Sequence, residues 1–209
     1  MTSITLDKFL NSVETGDILL YSTNIWYSKI IEYFQGSKFS HIGILLKDPV
    51  YINKKLKGLY VLESGYETTP DPVDGKYKFG VQIISLDNVI KTYQNSSTGI
   101  IYYRQLYCIR NQEFKNLIEK IYNEIQNKPY DINIWDWIKA YLKIDIGNEH
   151  KTNKFWCSAL SAFIYNKMNF LKDVPWTIIS PKNFSYYEDN ITLKFINCEI
   201  LPEKKIIYY

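Results

Sequence analysis

The chain has 209 residues, 46% of them hydrophobic and 22% charged, which suffices for one well-buried core and is ordinary for a globular domain. Its net charge of +3 is spread thinly, and the densest basic run, Lys54-Lys55-Leu56-Lys57, is short; without a basic stripe, nucleic acid is not expected as a partner. No apolar run of about 18 residues is present, so no membrane-spanning helix is expected and any membrane contact would be peripheral.

In chain order, Leu6, Phe9, Leu10 and Val13 recur at helical spacing and predict a short helix over residues 4–13. Ile18-Leu19-Leu20-Tyr21 reads as a buried strand, and Asn24 is placed to cap a second helix that ends at Gly36. Strands follow at Ser40–Leu46, Tyr60–Ser64, Val81–Leu86 and Ile100–Leu106, with a turn-rich stretch from Thr69 to Gly75. The second half is helical. Phe114, Leu117, Ile118, Ile121, Tyr122 and Ile125 predict a long helix that Pro129 stops. Further helices are predicted over Ile132–Leu142 and Phe155–Met168, with the polar loop Gly147–Lys154 between them. Ser180-Pro181 has the chemistry of a helix start, and Ile191–Ile200 reads as a last strand. Strands grouped in one half and helices in the other predict an α+β fold with an antiparallel or mixed sheet. With no repeat and no long linker, residues 1–209 read as a single domain.

Three cysteines and two histidines fit neither a disulfide framework nor a zinc site, so no metal or cofactor is expected, and the compartment reads as reducing. The N-terminus lacks the basic start and apolar stretch of a secretory signal, which agrees with a cytoplasmic chain. Nineteen tyrosines accompany abundant Asn, Lys and Ile, a codon-bias signature before it is a binding surface.

Cys157 opens a predicted helix after a polar loop. There the unpaired amide N–H groups and the helix dipole favour the thiolate and could hold an oxyanion. The competing reading is a small residue packed in an apolar helix. His41 shares one strand face with Gly43 and Leu45, Gly43 leaving room for a close neighbour; its bland reading is a core imidazole bonded to a carbonyl. Glu63 stands in the apolar run Tyr60-Val61-Leu62-Glu63, where a carboxylate is costly unless paired. If the two strands are neighbours, Glu63 can orient His41 and support its imidazolium, as the acid does in a serine triad; otherwise it marks the exposed end of its strand. Cys108 and Cys198 read as packing residues, and His150, in a polar loop near Cys157, is the reserve base. No G-x-S-x-G elbow, Walker loop, dinucleotide fingerprint or HExxH run occurs.

The ordered blocks Gly16-Asp17-Ile18-Leu19-Leu20, Ser40-His41-Ile42-Gly43-Ile44, Val61-Leu62-Glu63-Ser64, Lys128-Pro129-Tyr130-Asp131 and Cys157-Ser158-Ala159-Leu160, with Ser180-Pro181-Lys182-Asn183-Phe184 after them, resemble the permuted papain-like hydrolases. These are the YiiX-like relatives of NlpC peptidases and of lecithin–retinol acyltransferase, in which the histidine strand precedes the cysteine helix. The resemblance implies a circularly permuted papain-like fold, with Cys157 as nucleophile, His41 as base and Glu63 as the residue orienting it. It also implies that Tyr130 and Ser158 line the site near the oxyanion; Tyr130 alternatively packs in a turn. Ala159 departs from the acidic residue or glycine that often follows the Cys-Ser pair. Loops Lys47–Gly58 and Thr68–Phe79 have no counterpart in the pattern. The implied activity is cleavage of an amide or ester through a thioester, on lipid-like or N-acyl amino-acid substrates first and peptide amides second. An acyltransferase of the same superfamily and a catalytically silent protein that binds a host factor are the alternatives. With the codon bias, the resemblance is associated with a large DNA virus or a bacterium, hence with host cytoplasm or virion in the viral case.

Overall fold

Seven strands join in one sheet in the computed structural model, which describes residues 1–22, 37–66, 68–95, 99–130, 155–172 and 174–208. They are β1 (Ser3–Thr5), β2 (Ile18–Ser22), β3 (His41–Lys47), β4 (Leu59–Tyr66), β5 (Phe79–Ser85), β6 (Ile100–Arg104) and β9 (Lys204–Ile207), in the order β1-β9-β6-β2-β3-β4-β5. β1 runs parallel to β9 and every other pairing is antiparallel. A separate two-stranded ladder joins β7 (Leu106–Tyr107) to β8 (Glu199–Ile200).

Helices cover both faces. α1 (Leu6–Ser12) and α2 (Leu86–Gln94) bury Phe9, Val89 and Ile90 against Leu19, Tyr21, Leu45, Val61 and Ile84. α3 (Gln112–Ile125) and α4 (Cys157–Lys167) bury their apolar residues against Ile18, Leu20, Ile42, Ile44 and Leu62. The central strands are therefore continuous apolar runs, as strands buried on both faces must be. Asn111 caps α3 by accepting from the Phe114 N–H, and the stripe Phe114, Ile118, Ile121, Tyr122, Ile125 faces inward. α4 is buried from Cys157 through Tyr165, the mark of an interior helix.

Asp17 ties the two helical layers' sheet to its loops. Fully buried, its carboxylate accepts from the Glu14 and Leu106 amides, from the Tyr103 hydroxyl at 2.6 Å and from Arg110 at 3.3 Å. Burial raises its carboxyl above the ordinary value, and these donors oppose that rise. The neighbouring Gly16 carbonyl accepts from the Tyr165 hydroxyl of α4, and Gly16 itself has φ +96°, a left-handed conformation suited to glycine.

The mixed sheet, the α+β class, α3, α4 and a short helix at Pro181–Phe184 agree with the sequence expectations. Three expectations need correction. The first helix begins at Leu6, because Ser3–Thr5 pairs with β9. The strand expected at Val81–Leu86 ends at Ser85, and Leu86 opens α2 instead. The strand expected at Ile191–Ile200 is a turn-rich path with a single bridge from Phe195 to Leu171, and only Glu199–Ile200 forms a strand; a further strand follows at Lys204–Ile207. The helices expected at 24–36 and 132–142, and the loop holding His150, lie outside the described residues.

Candidate active site

β3 and β4 are adjacent and antiparallel, with Ile44 opposite Leu62 and Leu45 opposite Val61. Continuing that ladder sets Glu63 diagonally across from His41. The imidazole Nε2–H donates to Glu63 Oε2 at 3.0 Å, with the His41 side chain 25% exposed and Glu63 2% exposed. Gly65 makes room for this pair. A Cβ on Gly65 would lie 3.0 Å from Glu63 Oε1 and 3.4 Å from His41 Cε1. A Cβ on Gly43 would lie 2.4 Å from Val61 Cγ1, so the close neighbour that Gly43 admits is the Val61 side chain. Tyr21, directly opposite His41 on β2, backs the imidazole with ring centroids 5.2 Å apart.

Cys157 is the first residue of α4 and is 5% exposed. Its position is fixed from several sides. The Trp156 indole N–H and the Ser158 hydroxyl both donate to the Ile179 carbonyl, at 3.1 and 2.7 Å. The Ser64 hydroxyl donates to the Phe155 carbonyl at 2.6 Å. Strand alternation explains the last contact: Glu63 faces the imidazole, and the next residue, Ser64, faces the opposite way and anchors the segment leading into the cysteine helix. Phe155 N–H also donates to the Pro129 carbonyl, and Val81 N–H to that of Lys128, so β5 helps to hold the same segment.

Cys157 lies close enough to His41 for its charge and hydrogen-bonding to act on the imidazole, whose Nε2 is held by Glu63. Burial is the largest influence on His41 and disfavours its charge. The charge of Glu63, then the charge and hydrogen bond of Cys157, outweigh it, and the imidazole's pKa is raised well above its ordinary value. A cationic imidazole between a carboxylate and a thiol is the setting in which a cysteine becomes nucleophilic.

Of the other expected site residues, Tyr130 is brought to the cysteine segment by a main-chain bridge to Phe155, and its ring stacks on Phe79 at 4.9 Å. Phe79 in turn meets Tyr66 edge-on, so three aromatic rings, two of them exposed, form a row from Tyr66, which follows Gly65 in the chain, to Tyr130, which is bridged to Phe155. Ser158 is 1% exposed and its hydroxyl proton is committed to Ile179, so its side chain anchors α4. Cys108 and Cys198 are half-buried, and burial raises both thiols, that of Cys198 to about 11. Sequence reasoning passed over Gly65, Ser64 and Gln82. Gln82 lies directly opposite Glu63 on β5 and is fully buried, a polar residue in an apolar strand just as Glu63 is. Among the described residues no three His, Cys, Asp or Glu side chains gather as metal ligands.

The chain is thus an α+β protein whose sheet brings a cysteine, a histidine and a glutamate into one connected group. No family model matches it. It is 26% identical over 189 residues to the uncharacterized protein R372 of Acanthamoeba polyphaga mimivirus, across 82% of this chain and 73% of that one. Among solved structures it is similar to the metalloprotein YiiX from Escherichia coli O157:H7, with a TM-score of 0.48 and 18% identity. That likeness covers 74% of this chain and 66% of YiiX. No helix among the described residues is long and apolar enough to cross a membrane.

Proposed function

We propose that this chain is a cysteine hydrolase of the permuted papain-like, NlpC-related kind, cleaving an amide or ester through a thioester on Cys157. The observation that carries the reading is the His41–Glu63 pair at 3.0 Å, with Cys157 close enough to act on the same imidazole and raise its pKa. The thiolate attacks the substrate carbonyl, forming the C–S bond. As the tetrahedral intermediate collapses, the His41 imidazolium gives its proton to the leaving nitrogen or oxygen. Neutral His41 then takes a proton from water, whose hydroxide displaces the thiolate and releases the acid. Glu63 keeps the ring oriented and supports its charge through both steps. Main-chain N–H groups at the start of α4 would receive the oxyanion.

The exposed aromatic row Tyr66–Phe79 with Tyr130 favours an apolar acyl group, such as that of a lipid-like or N-acyl amino-acid substrate. Transfer of the acyl group to an amine or alcohol in place of water would use the same first half-reaction.

The test is to incubate the protein with p-nitrophenyl esters of increasing chain length, quench in acid and measure intact mass. An acyl adduct mapped to Cys157, released by hydroxylamine and missing from Cys157→Ala, is expected. Equal nitrophenol release by wild type and Cys157→Ala would refute the assignment and leave a binding role on the same scaffold.

A further inference from the structure

Behind the imidazole, the glutamate has an unmet need. Glu63 Oε2 is bonded to His41, but Glu63 Oε1 is buried and has no hydrogen-bond partner. Directly across the ladder, both carboxamide atoms of the fully buried Gln82 are likewise unpaired. Facing residues of neighbouring antiparallel strands have Cβ atoms about 4.5–5.5 Å apart, well within the reach of a glutamine side chain. A buried acceptor and a buried donor this close do not stay unmet in a stable fold, since each orphan is costly. We propose that Gln82 is a positioning residue of this site: its Nε2–H donates to Glu63 Oε1, directly or through one buried water, and fixes the carboxylate that orients His41. Gly65 fits this role, because any side chain there would press on Oε1 from the same face.

This inference rests on the triad reading, and the experiment separates the two. The rate of iodoacetamide alkylation at Cys157 is measured against pH by mass spectrometry for wild type, Glu63→Gln, Gln82→Leu, Gln82→Asn and the double variant Glu63→Gln/Gln82→Leu. Gln82→Leu should slow alkylation above the ordinary imidazole range in the same direction as Glu63→Gln, by a smaller factor. Gln82→Asn, which keeps a donor able to reach through a water, should restore most of the rate. The double variant should be no slower than Glu63→Gln alone, because Gln82 acts only through Glu63. A Gln82→Leu profile that overlays wild type while Glu63→Gln shifts, or strictly additive losses, would overturn the role of Gln82. No shift in Glu63→Gln itself would overturn the triad.

A second, independent observation concerns the two remaining cysteines. β7 and β8 pair Leu106 with Ile200 and Tyr107 with Glu199; Cys108 and Cys198 stand just beyond that ladder, and one more step of the same register would bring them opposite each other. Leu201 N–H donates to the Gln105 carbonyl at 2.9 Å, which makes 105 and 201 a hydrogen-bonded pair. By alternation 108 and 198 fall at a non-hydrogen-bonded position, where Cα atoms approach to about 4.5 Å. A disulfide requires about 4.4–6.8 Å. Both side chains are half-buried against the same core, and both sulfurs are free thiols. We infer that Cys108 and Cys198 form a disulfide when the protein meets a low-molecular-weight disulfide such as oxidised glutathione. Cys108, whose thiolate Arg110 favours, attacks one sulfur of the oxidant and releases the first glutathione thiolate. Cys198 then gives up its proton and attacks the Cys108 sulfur, releasing the second. Two protein thiols are oxidised and one small disulfide is reduced to two thiols. Burial slows both steps, so the reaction needs prolonged exposure.

Wild type and Cys108→Ser are incubated with oxidised glutathione, blocked with an alkylating agent and digested. Wild type should yield a peptide pair joined through Cys108 and Cys198, lighter by two hydrogens, and a higher melting temperature. Cys108→Ser should yield only a glutathione adduct. Stable glutathione adducts on either cysteine of wild type, a joined pair containing Cys157, or both thiols still reduced after Cys157 has reacted would overturn the pairing.

Discussion

Replacing Glu63 by glutamine probes the site at the point where electrostatics and geometry can be told apart. The side chain keeps its shape and one oxygen that can accept from His41 Nε2, but it loses its charge 3.0 Å from the imidazole. A hydrogen bond to a charged group contributes about 1.5–3 kcal/mol, against about 0.5–1.5 kcal/mol for a neutral one. The loss is therefore on the order of 1–2 kcal/mol of support for the imidazolium. At about 1.4 kcal/mol per tenfold, the imidazolium population falls by roughly five- to thirtyfold relative to neutral imidazole. Because His41 holds its proton through both Glu63 and Cys157, weakening one partner also weakens the ion pair with the thiolate. Alkylation of Cys157 by iodoacetamide, followed by mass spectrometry from acid to mildly alkaline pH, should slow by up to about that factor above the ordinary imidazole range, where wild type still holds the His41 proton and the variant loses it. The two profiles should converge at lower pH, where His41 is protonated in both proteins. Cys108 and Cys198 in the same molecule serve as slow internal references, since burial raises both. Superimposable profiles for wild type and Glu63→Gln would refute the reasoning.

Gly65→Ala should press a methyl against Glu63 Oε1 and His41 Cε1, lowering esterase activity at least tenfold while costing about 1–3 kcal/mol of stability in urea unfolding. Ser64→Ala leaves the buried Phe155 carbonyl without its donor, and should cost about 1–3 kcal/mol, or several degrees in a thermal melt. Asp17→Ala, which strips four hydrogen bonds from a buried hub, should destabilise by about 3–5 kcal/mol. Phe79→Ala removes the ring that stacks on Tyr130, and should raise KM for long-chain esters more than for acetyl esters. Equal effects on both ester classes would remove the aromatic row from the substrate path.

Much of the sheet was legible because its central strands are short apolar runs bounded by turns, and α3 and α4 because their apolar residues recur at helical spacing. The terminal strands were not. β9 carries two lysines and is held between β6 and β1, and β1 is three residues long with no apolar alternation, so both are set by pairing rather than by their own pattern. Over 191–198 the apolar residues misled: Leu193 is buried singly along a turn path that includes Asn197 at φ +54°, with no ladder to carry alternation. α2 was hidden because its first apolar residue, Leu86, continues the apolar pattern of β5. At the site, Glu63 announced itself as a carboxylate in an apolar strand. Gln82 gave the same signal more quietly, since an amide does not ionise. Gly65 could not be read from the apolar pattern of its strand, because the demand for a missing side chain comes from the Glu63 carboxylate and from His41 across the ladder.

The coupling of thiol and imidazole is best measured by NMR titration of the two histidines, His41 and His150, in wild type and in Cys157→Ala. The account predicts that His41 keeps its proton to a pH well above the ordinary imidazole range, and that its titration moves down when Cys157 is replaced, because burial then acts against one fewer partner. A His41 titration that is ordinary in wild type, or unchanged by loss of the thiol, would contradict it.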